Sequence, residues 1–356
     1  MIVLDAHCDA PSQMVRLRDF GQDNAFAQVD FPKMVRGGVD ASFFAAYVPA
    51  SLAGQAATDH ARRLLDEAVR QVAVCPDRVA LARCAGGVRR NRRAGLTTVL
   101  LGIENASALQ ESFELLHDFH KRGVRYVTLT HSADNQVGDS CTGQGTWGGL
   151  SPFGRTLIPE MNRRRMLIDV AHSADSTIRD VLALSQRPIA YTHGACRALS
   201  GHRRNLSDEL IRGIADGGGV VCISIYPPFL DEEFVRTLAA SGLEAKMGVE
   251  DAFIQDPADP AKRAAWEAVQ RELQALPRPG IGRVVDHIEH AVSVAGIDHV
   301  GIGTDYDGIE VTAAGLEDIG SFYKLWDEMR ARGFSRSEVS RIAGGNLLRV
   351  LSAVRK

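Results

Sequence analysis

The stretch DAHCDAP, residues 5–11, places an imidazole and a carboxylate two positions apart near the start of the chain. It follows the apolar run MIVL, which predicts a β-strand ending at this point. Because residues i and i+2 of a strand face the same way, His7 and Asp9 would point to one side and Cys8 to the other. Such a pair can bind a metal ion or form a plain hydrogen bond, and the spacing fits both.

Further imidazoles and carboxylates follow other apolar runs in the chain. They are Glu104, His131, His172, His193 and Asp305. In a barrel of parallel strands, the carboxyl ends of all strands meet at one face. Carboxylates buried together at that face would repel one another, and cations would remove the conflict. The combined set, with His7 and Asp9, therefore favours a metal centre over isolated rim histidines.

Other histidines and cysteines lack this placement. His287 and His290 have the i, i+3 spacing of a metal pair, but their helix precedes the last strand and should lie outside the barrel. Cys222 lies in mid-strand and is expected in the core. The cysteines form no C-x-x-C pair, so we expect free thiols. The remaining histidines on helical patterns are His60, His117 and His120.

Eight apolar runs rich in Val and Ile carry these residues at or near their ends. They span 1–6, 41–48, 97–104, 126–131, 166–172, 188–193, 219–226 and 299–305. Amphipathic helical patterns alternate with them, for example at 58–74 and at 112–123, which ends in a glycine. This order predicts an α/β fold, a (β/α)8 TIM barrel. An open doubly wound sheet is disfavoured because no Gly-rich phosphate loop follows the first run.

The chain has 356 residues, more than the about 250 that such a barrel needs. We predict one domain over 1–356 with an insertion around 227–282, where Pro, Asp and Ala are plentiful. The net charge of −3 gives no attraction for nucleic acid or an anionic membrane. We see neither an apolar run of about 18 residues nor a signal-peptide pattern, and expect a cytoplasmic protein with no membrane partner.

Several stretches resemble the membrane dipeptidase (renal dipeptidase) family, metallopeptidases built on an amidohydrolase-type barrel. They are DAHCDAP, LGIENA, LTHSADN, GLSPFGRTLIPEMNRRRMLIDVAHSAD, YTHGACRAL, HRRNLSDE, GIDHVGIGTDYDG and GGNLLRVL, which reach nearly from end to end. The resemblance implies a zinc-dependent dipeptidase with two metal ions, and Mn or Co could replace zinc. Family members often form homodimers, and many cleave dipeptides with a D-residue in the second position.

The resemblance also implies the ligands of the metal ions. His7 and Asp9 would bind the first zinc ion. His172 and His193 would bind the second, and Glu104 would bridge the two.

The resemblance gives the remaining matching residues roles in catalysis and substrate binding. His131 would contact the substrate and assist the reaction, and Asp305 would move the proton near the metals. Arg204 would hold the free carboxylate of the substrate, and Tyr226 would line the pocket. A guanidinium suits this role because it grips a carboxylate with two parallel hydrogen bonds.

The chain departs from the family pattern at two positions. The family usually has glycine where this chain has Ala6 and Asn105. Asn105 would add a side chain beside the metals, which leaves the substrate preference open.

We expect a metal-activated hydroxide to attack the amide of a dipeptide or a related small amide with a free carboxylate. The nearest alternative is a deacylase of N-acyl (D-)amino acids on the same machinery. An alternative of another class is a metal-containing barrel that binds a small ligand without turnover, and Asp305 argues against it because a binder needs no proton carrier. A structural interaction protein would contain no metal.

Overall fold

The computed structural model describes residues 1–15, 19–25, 27–246, 249, 252–253, 256 and 258–355. All strands of the described part pair in parallel in one sheet. The strands are β1 (Leu4–Cys8), β2 (Ala41–Tyr47), β3 (Val79–Leu81), β4 (Thr97–Glu104), β5 (Val124–Thr128), β6 (Leu167–Asp169), β7 (Ala190–Tyr191), β8 (Val220–Ile223) and β9 (Val300–Ile302).

Helices follow most of the strands. The described α-helices are α1 (Ala10–Met14), α2 (Phe31–Arg36), α3 (Gly54–Ala73), α4 (Ala85–Arg93), α5 (Phe113–Arg122), α6 (Pro152–Arg164), α7 (Asp175–Leu184), α8 (Asp208–Asp216), α9 (Pro227–Leu230), α10 (Glu232–Ser241), α11 (Pro260–Ala275), α12 (Ile281–Ala295), α13 (Tyr323–Ala331), α14 (Arg336–Ser340) and α15 (Asn346–Ala353). Short 3₁₀ turns span Ala106–Leu109, Leu243–Lys246, Ile297–His299 and Ile319–Ser321, and a π-helical turn spans Arg341–Gly345.

The strand order closes the sheet into a barrel. The order is β1-β2-β4-β5-β6-β7-β8-β9, and β3 pairs only with the first residues of β4. A bridge between Cys8 and Tyr306 brings the ends of β1 and β9 together, so the ring is nearly closed. The predicted (β/α)8 barrel is confirmed, and each of the eight predicted strands is present. The three-residue strand β3 was not predicted because it is too short to give a pattern.

Several strands are shorter than the apolar runs that predicted them. The run 188–193 contributes only Ala190–Tyr191, and the run 166–172 only Leu167–Asp169. The residues that follow leave the sheet, and His172 takes a left-handed backbone with φ of 63°. The last residues of these runs therefore form the mouth of the barrel instead of extending its wall.

Two apolar layers hold the barrel together. One fills its interior with side chains such as Leu4, Phe43, Leu100 and Cys222, and α15 packs against the same cluster. The other lies between the strands and the surrounding helices and includes Cys8. Alternation along buried parallel strands produces this division.

The predicted insertion around 227–282 contains α9, α10 and α11. Helices α10 and α11 and the turn Leu243–Lys246 form a small apolar cluster that includes Phe234, Leu243 and Trp266, and Val311 from the segment after β9 joins it. The insertion thus packs beside the carboxyl end of the barrel. Among the described helices, we find no apolar stretch long enough to cross a lipid bilayer.

Candidate metal centre and substrate site

The imidazoles and carboxylates predicted at the strand ends converge at the mouth of the barrel. His7 Nε2 lies 3.5 Å from Asp9 Oδ2, 3.5 Å from Glu104 Oε2 and 3.7 Å from Asp305 Oδ1. His172 Nε2 lies 2.8 Å from His193 Nε2. The imidazole nitrogens and carboxylate oxygens at the mouth form three groups, and the atoms of each group lie within 4.8 Å of one another, close enough to hold an ion. The groups are His7–Glu104–His193, Glu104–His131–His172 and His7–Asp9–Asp305.

Glu104, the last residue of β4, divides its two oxygens between the histidines. Its Oε2 faces His7, whereas its Oε1 lies 3.0 Å from His172 Nε2 and 3.5 Å from His193 Nε2. The carboxylate is almost completely buried. Each of its two oxygens can therefore bind a cation beside a different histidine.

The backbone around His7 and Asp9 differs slightly from the simple strand expected. The two side chains share one side, and Cys8 packs outward against Ser42, as predicted. However, Asp9 lies beyond the end of β1, and the register between β1 and β2 shifts between Asp5 and Cys8. A turn, rather than strand alternation alone, thus brings the two ligands together.

Left-handed backbone conformations cluster at this site. His172, Asp305 and Asn105 have φ angles of 63°, 66° and 78°. Such conformations cost a side-chain-bearing residue on the order of 1–3 kcal/mol, and they persist where the surrounding structure enforces them. They turn the chain sharply as it leaves the strands, which places the His172 and Asp305 side chains at the mouth.

A second layer of hydrogen bonds orients the histidines. Tyr126 Oη lies 2.8 Å from His7 Nδ1, and Thr192 Oγ1 lies 3.0 Å from His193 Nδ1. Thr192 Oγ1 in turn donates to the buried Asp169. With Nδ1 engaged in this way, each ring presents Nε2 to the centre of the site. These partners were not predicted from the sequence, although Asp169 is a carboxylate within an apolar run and could have indicated them.

Burial shapes the charges of the cluster. Burial and the Glu104 charge raise the pKa of Asp9 to about 7, and burial raises the pKa of Asp305 well above its usual range. Burial lowers the pKa of His172 and His193 well below the usual value, so both rings are neutral at pH 7. Neutral imidazole is the form that binds metal ions.

The residues fit divalent metal ions. His7 Nε2 and Asp9 Oδ1 are buried and make no hydrogen bond to the part of the chain that the structure describes. Buried polar atoms without partners are costly, and a cation among them would satisfy the nitrogen and oxygen lone pairs together. Imidazole with carboxylate is a donor set that suits zinc and similar ions.

Arg204 lies beside this cluster as a buried cation. Its Nη2 donates to the His193 carbonyl oxygen at 3.0 Å, and its Nη1 donates to Tyr191 Oη at 2.9 Å. The guanidinium also packs on the Phe229 ring, 5.2 Å from its centroid. Its Nε has no hydrogen-bond partner, and no carboxylate pairs with it among the described residues. The site therefore offers an unpaired positive charge next to the candidate metal centre.

His131 and Tyr226 border the same space. The His131 ring lies 4.1 Å from the His172 ring and 4.7 Å from the Tyr47 ring, and its Nδ1 has no partner among the described residues. Tyr226 packs edge-on against Phe229, with the ring centroids 4.9 Å apart. His131 therefore lies beside a candidate metal ligand, and Tyr226 lies beside the ring on which Arg204 packs.

The Asn105 side chain does not occupy the position expected from the sequence. Its Nδ2 donates to the Val48 carbonyl oxygen at 2.8 Å, and its Oδ1 accepts from Ser107 N and Asn135 Nδ2. The side chain is buried in these contacts. Asn105 therefore fixes the loop after β4 and does not project into the site.

The histidines that were set aside lie outside the candidate groups. His287 is completely buried, where its Nδ1 accepts from Cys196 N at 3.1 Å and its Nε2 lies 3.0 Å from the Leu230 carbonyl oxygen. His290 pairs with Asp208. Both therefore act in packing between helices.

Comparison with known proteins agrees with this geometry. The family model described as Membrane dipeptidase (Peptidase family M19) matches residues 1–356. The chain belongs to this family. Membership makes it a metallopeptidase of the dipeptidase type, as the sequence resemblance implied.

Two relatives of this chain are named dipeptidases. Dipeptidase verJ of Clonostachys rogersoniana is 29% identical over 339 residues, which cover 92% of this chain and 76% of that protein. Dipeptidase aclJ of Aspergillus oryzae is 30% identical over 342 residues, which cover 93% of this chain and 71% of that protein. The likeness therefore extends well beyond the residues of the site.

Solved structures share the barrel of this membrane dipeptidase family member. The probable dipeptidase PvdM from Pseudomonas aeruginosa superposes with a TM-score of 0.84 at 25% identity, over 100% of this chain and 96% of that chain. A metallopeptidase from Rhodobacter sphaeroides, liganded with a phosphinate mimic of L-Ala-D-Ala, gives a TM-score of 0.81 at 23% identity, over 99% of each chain. The second likeness shows a common fold.

Proposed function

We propose that this chain is a dinuclear zinc dipeptidase that cleaves dipeptides with a free carboxyl terminus, including L-Xaa-D-Xaa. His7 and Asp9 would hold one ion, His172 and His193 the other, and Glu104 would bridge them. The division of the two Glu104 oxygens between His7 and the other histidines supports the bridge. The phosphinate dipeptide bound to the Rhodobacter sphaeroides metallopeptidase supports a substrate of this class.

The observation that carries the proposal is the unpaired, buried Arg204 next to the metal ligands. A buried guanidinium without a carboxylate partner is unstable unless an anion joins it. A substrate carboxylate can supply that anion and accept from the free Nε–H. Because Arg204 also contacts the His193 backbone, a carboxylate held there places the adjacent amide towards the metal centre.

The residues of the chain then divide the chemistry between them. Divalent ions bound by these ligands would acidify a water molecule and polarise a carbonyl group. Asp305, whose pKa is raised by burial, can take the proton from the attacking water and pass it to the leaving amine. His131 can hydrogen-bond the substrate through its free Nδ1. Arg204 holds the substrate in one orientation, which lowers the entropic part of the barrier.

Substitution of Arg204 tests the proposal. We expect Arg204→Ala to reduce kcat/KM for L-Ala-D-Ala by about 10- to 150-fold, the loss of one charge-assisted hydrogen-bonded contact, mainly through KM. Metal content, measured by elemental analysis, should stay at the wild-type value. Arg204→Lys keeps the charge, so its kcat/KM should lie between that of the wild type and that of Arg204→Ala. Arg203→Ala, at an exposed neighbouring arginine, is the matched control.

Two outcomes would contradict the assignment. Loss of metal in Arg204→Ala would mean that the arginine supports the metal centre and does not hold the carboxylate. Faster turnover of N-acetyl-D-amino acids than of any dipeptide would favour the deacylase over the dipeptidase.

A further inference from the structure

Glu310 lies at the edge of the substrate site and has no part in the proposed mechanism. It belongs to the segment that leaves the barrel after Asp305, and it stands between two buried neighbours, Ile309 and Val311. The backbone is held there because Gln28 Nε2 donates to the Ile309 carbonyl oxygen at 3.0 Å. The hydrogen bond from Gln28 thus holds the backbone before Glu310, and the packing of Val311 in the cluster of the insertion holds the backbone after it.

Glu310 is a half-buried carboxyl group without a positive partner. Tyr226 Oη donates to its Oε2 at 3.3 Å. No lysine, arginine or histidine forms an ion pair with it among the described residues, whereas Glu317, further along the same segment, pairs with Arg278 at 3.0 Å. Burial raises the pKa of Glu310 above its usual value, in keeping with a carboxyl group that has a hydroxyl but no cation beside it among the described residues.

A continuous wall connects Glu310 with Arg204. The Arg204 guanidinium packs on the ring of Phe229, the Tyr226 ring packs edge-on against the same ring, and Tyr226 reaches Glu310. The wall therefore carries a positive charge at one end and a carboxyl group at the other, with aromatic rings between them.

We propose that Glu310 binds a positive charge on the side chain of the C-terminal residue of the substrate, so that dipeptides ending in lysine or arginine are preferred over those ending in glutamate or aspartate. The inference rests on the proposed function. With the terminal carboxylate on Arg204, the side chain of the same residue starts one bond away and can lie along Phe229 and Tyr226. Its methylene groups would cover the aromatic rings, and its ammonium or guanidinium group would reach the carboxylate.

The N-terminal amine of the substrate is a second source of positive charge. It lies on the other side of the scissile amide from the carboxylate that Arg204 holds. The wall from Phe229 to Glu310 begins at Arg204, so it follows the C-terminal residue. The two sources make different predictions, because every dipeptide carries the amine but only some carry a charged side chain.

The test compares kcat/KM for dipeptides that share an N-terminal L-alanine and differ in their C-terminal residue, of which there are four. Their C-terminal residues are lysine, norleucine, glutamine and glutamate, each supplied in L and D form. We expect the wild type to favour lysine over norleucine and glutamine over glutamate, each by about fivefold, the upper end of the effect of one charge pair that is partly open to solvent. In Glu310→Gln both ratios should fall to near unity. Glu317→Gln, which removes a carboxylate already paired with Arg278, is the control and should keep both ratios.

Each other result has a defined meaning. Wild-type ratios near unity, or ratios that Glu310→Gln leaves unchanged, would overturn this inference and leave the dipeptidase assignment in place. An equal loss on all of these dipeptides would place the N-terminal amine at Glu310 and refute the side-chain assignment. If the metal-loaded wild type hydrolyses none of them, nor L-Ala-D-Ala, the proposed function fails and this inference fails with it.

Discussion

Gly308 offers a sharp test of how the backbone shapes the metal centre. A Cβ atom added at this glycine would lie 2.2 Å from Asp9 Oδ2, 3.1 Å from Asp9 Cγ and 3.0 Å from Asp305 Oδ1. The backbone of the turn after β9 thus packs directly against two carboxylates of the site. Gly308→Ala should push Asp9 away from His7 or displace the turn that carries Asp305.

The size of the effect follows from these distances. Heavy atoms in contact lie about 3.5–4 Å apart, so the new methyl group overlaps Asp9 by about 1 Å or more. Overpacking of this kind typically costs about 1–3 kcal/mol of stability. Displacement of groups that orient metal ligands typically costs about 10- to 100-fold in metal affinity. We therefore expect both a lower unfolding midpoint and weaker metal binding.

Metal content and stability can be measured without reference to activity. The protein is dialysed against a graded series of chelator concentrations, its metal is measured by elemental analysis, and its unfolding midpoint is recorded with and without added zinc. Gly280→Ala is the matched control, since its nearest contact, the Ala314 carbonyl oxygen, is 3.7 Å away and its φ of −91° suits alanine. Wild-type metal retention in Gly308→Ala would refute the close contact between this turn and Asp9.

Two further predictions concern the proton carrier and a buried histidine. Asp305→Asn should lower kcat by about 10²- to 10⁴-fold because it removes the proton carrier, while metal content stays constant. Steady-state kinetics measures the first and elemental analysis the second. An unchanged kcat would show that the role assigned to Asp305 is wrong. Burial lowers the pKa of His287 to about 4. Between pH 6.5 and about 4, this histidine therefore binds a proton in the unfolded chain but not in the folded chain. Stability should be complete above pH 6.5 and decline as the pH falls to about 4, by at most about 3 kcal/mol for this group. In urea titrations across this range, His287→Gln should show a shallower decline, and an equally steep one would contradict the argument.

The site could be predicted in outline because strand ends in a barrel share one face. His7, Glu104, His172 and Asp305 lie far apart in the sequence, yet each follows an apolar run that becomes a strand. Once the (β/α)8 order was recognised, their meeting followed from topology. The spacing of His7 and Asp9 predicted a shared side correctly, although a turn after β1 contributes to it.

The details that sequence could not give depend on backbone direction at single residues. Asn105 was expected to add a side chain beside the metals, but its unusual φ of 78° accompanies a side chain turned to the Val48 carbonyl oxygen. Likewise, the position of Tyr126 in an apolar run does not predict that the closed barrel places its hydroxyl group against His7. Periodicity specifies which side of a strand a residue occupies, but not where the chain turns after the strand ends.

The mouth of the barrel contains two kinds of carboxylate, which differ in the partners that the protein gives them. Asp9 faces the His7 imidazole and Glu104 faces three imidazoles, so the protein itself supplies nitrogen and oxygen ligands for a cation between them. Within the described part of the chain, the Glu310 carboxyl group is bonded by the Tyr226 hydroxyl, and the Arg204 guanidinium by the Tyr191 hydroxyl and the His193 carbonyl oxygen, with no ion pair at either. Charges that the protein leaves uncompensated in a half-closed site are those that a ligand must complete. A molecule with a carboxylate at one point and a positive charge several bonds away would neutralise both, and a dipeptide ending in lysine has that arrangement of charges.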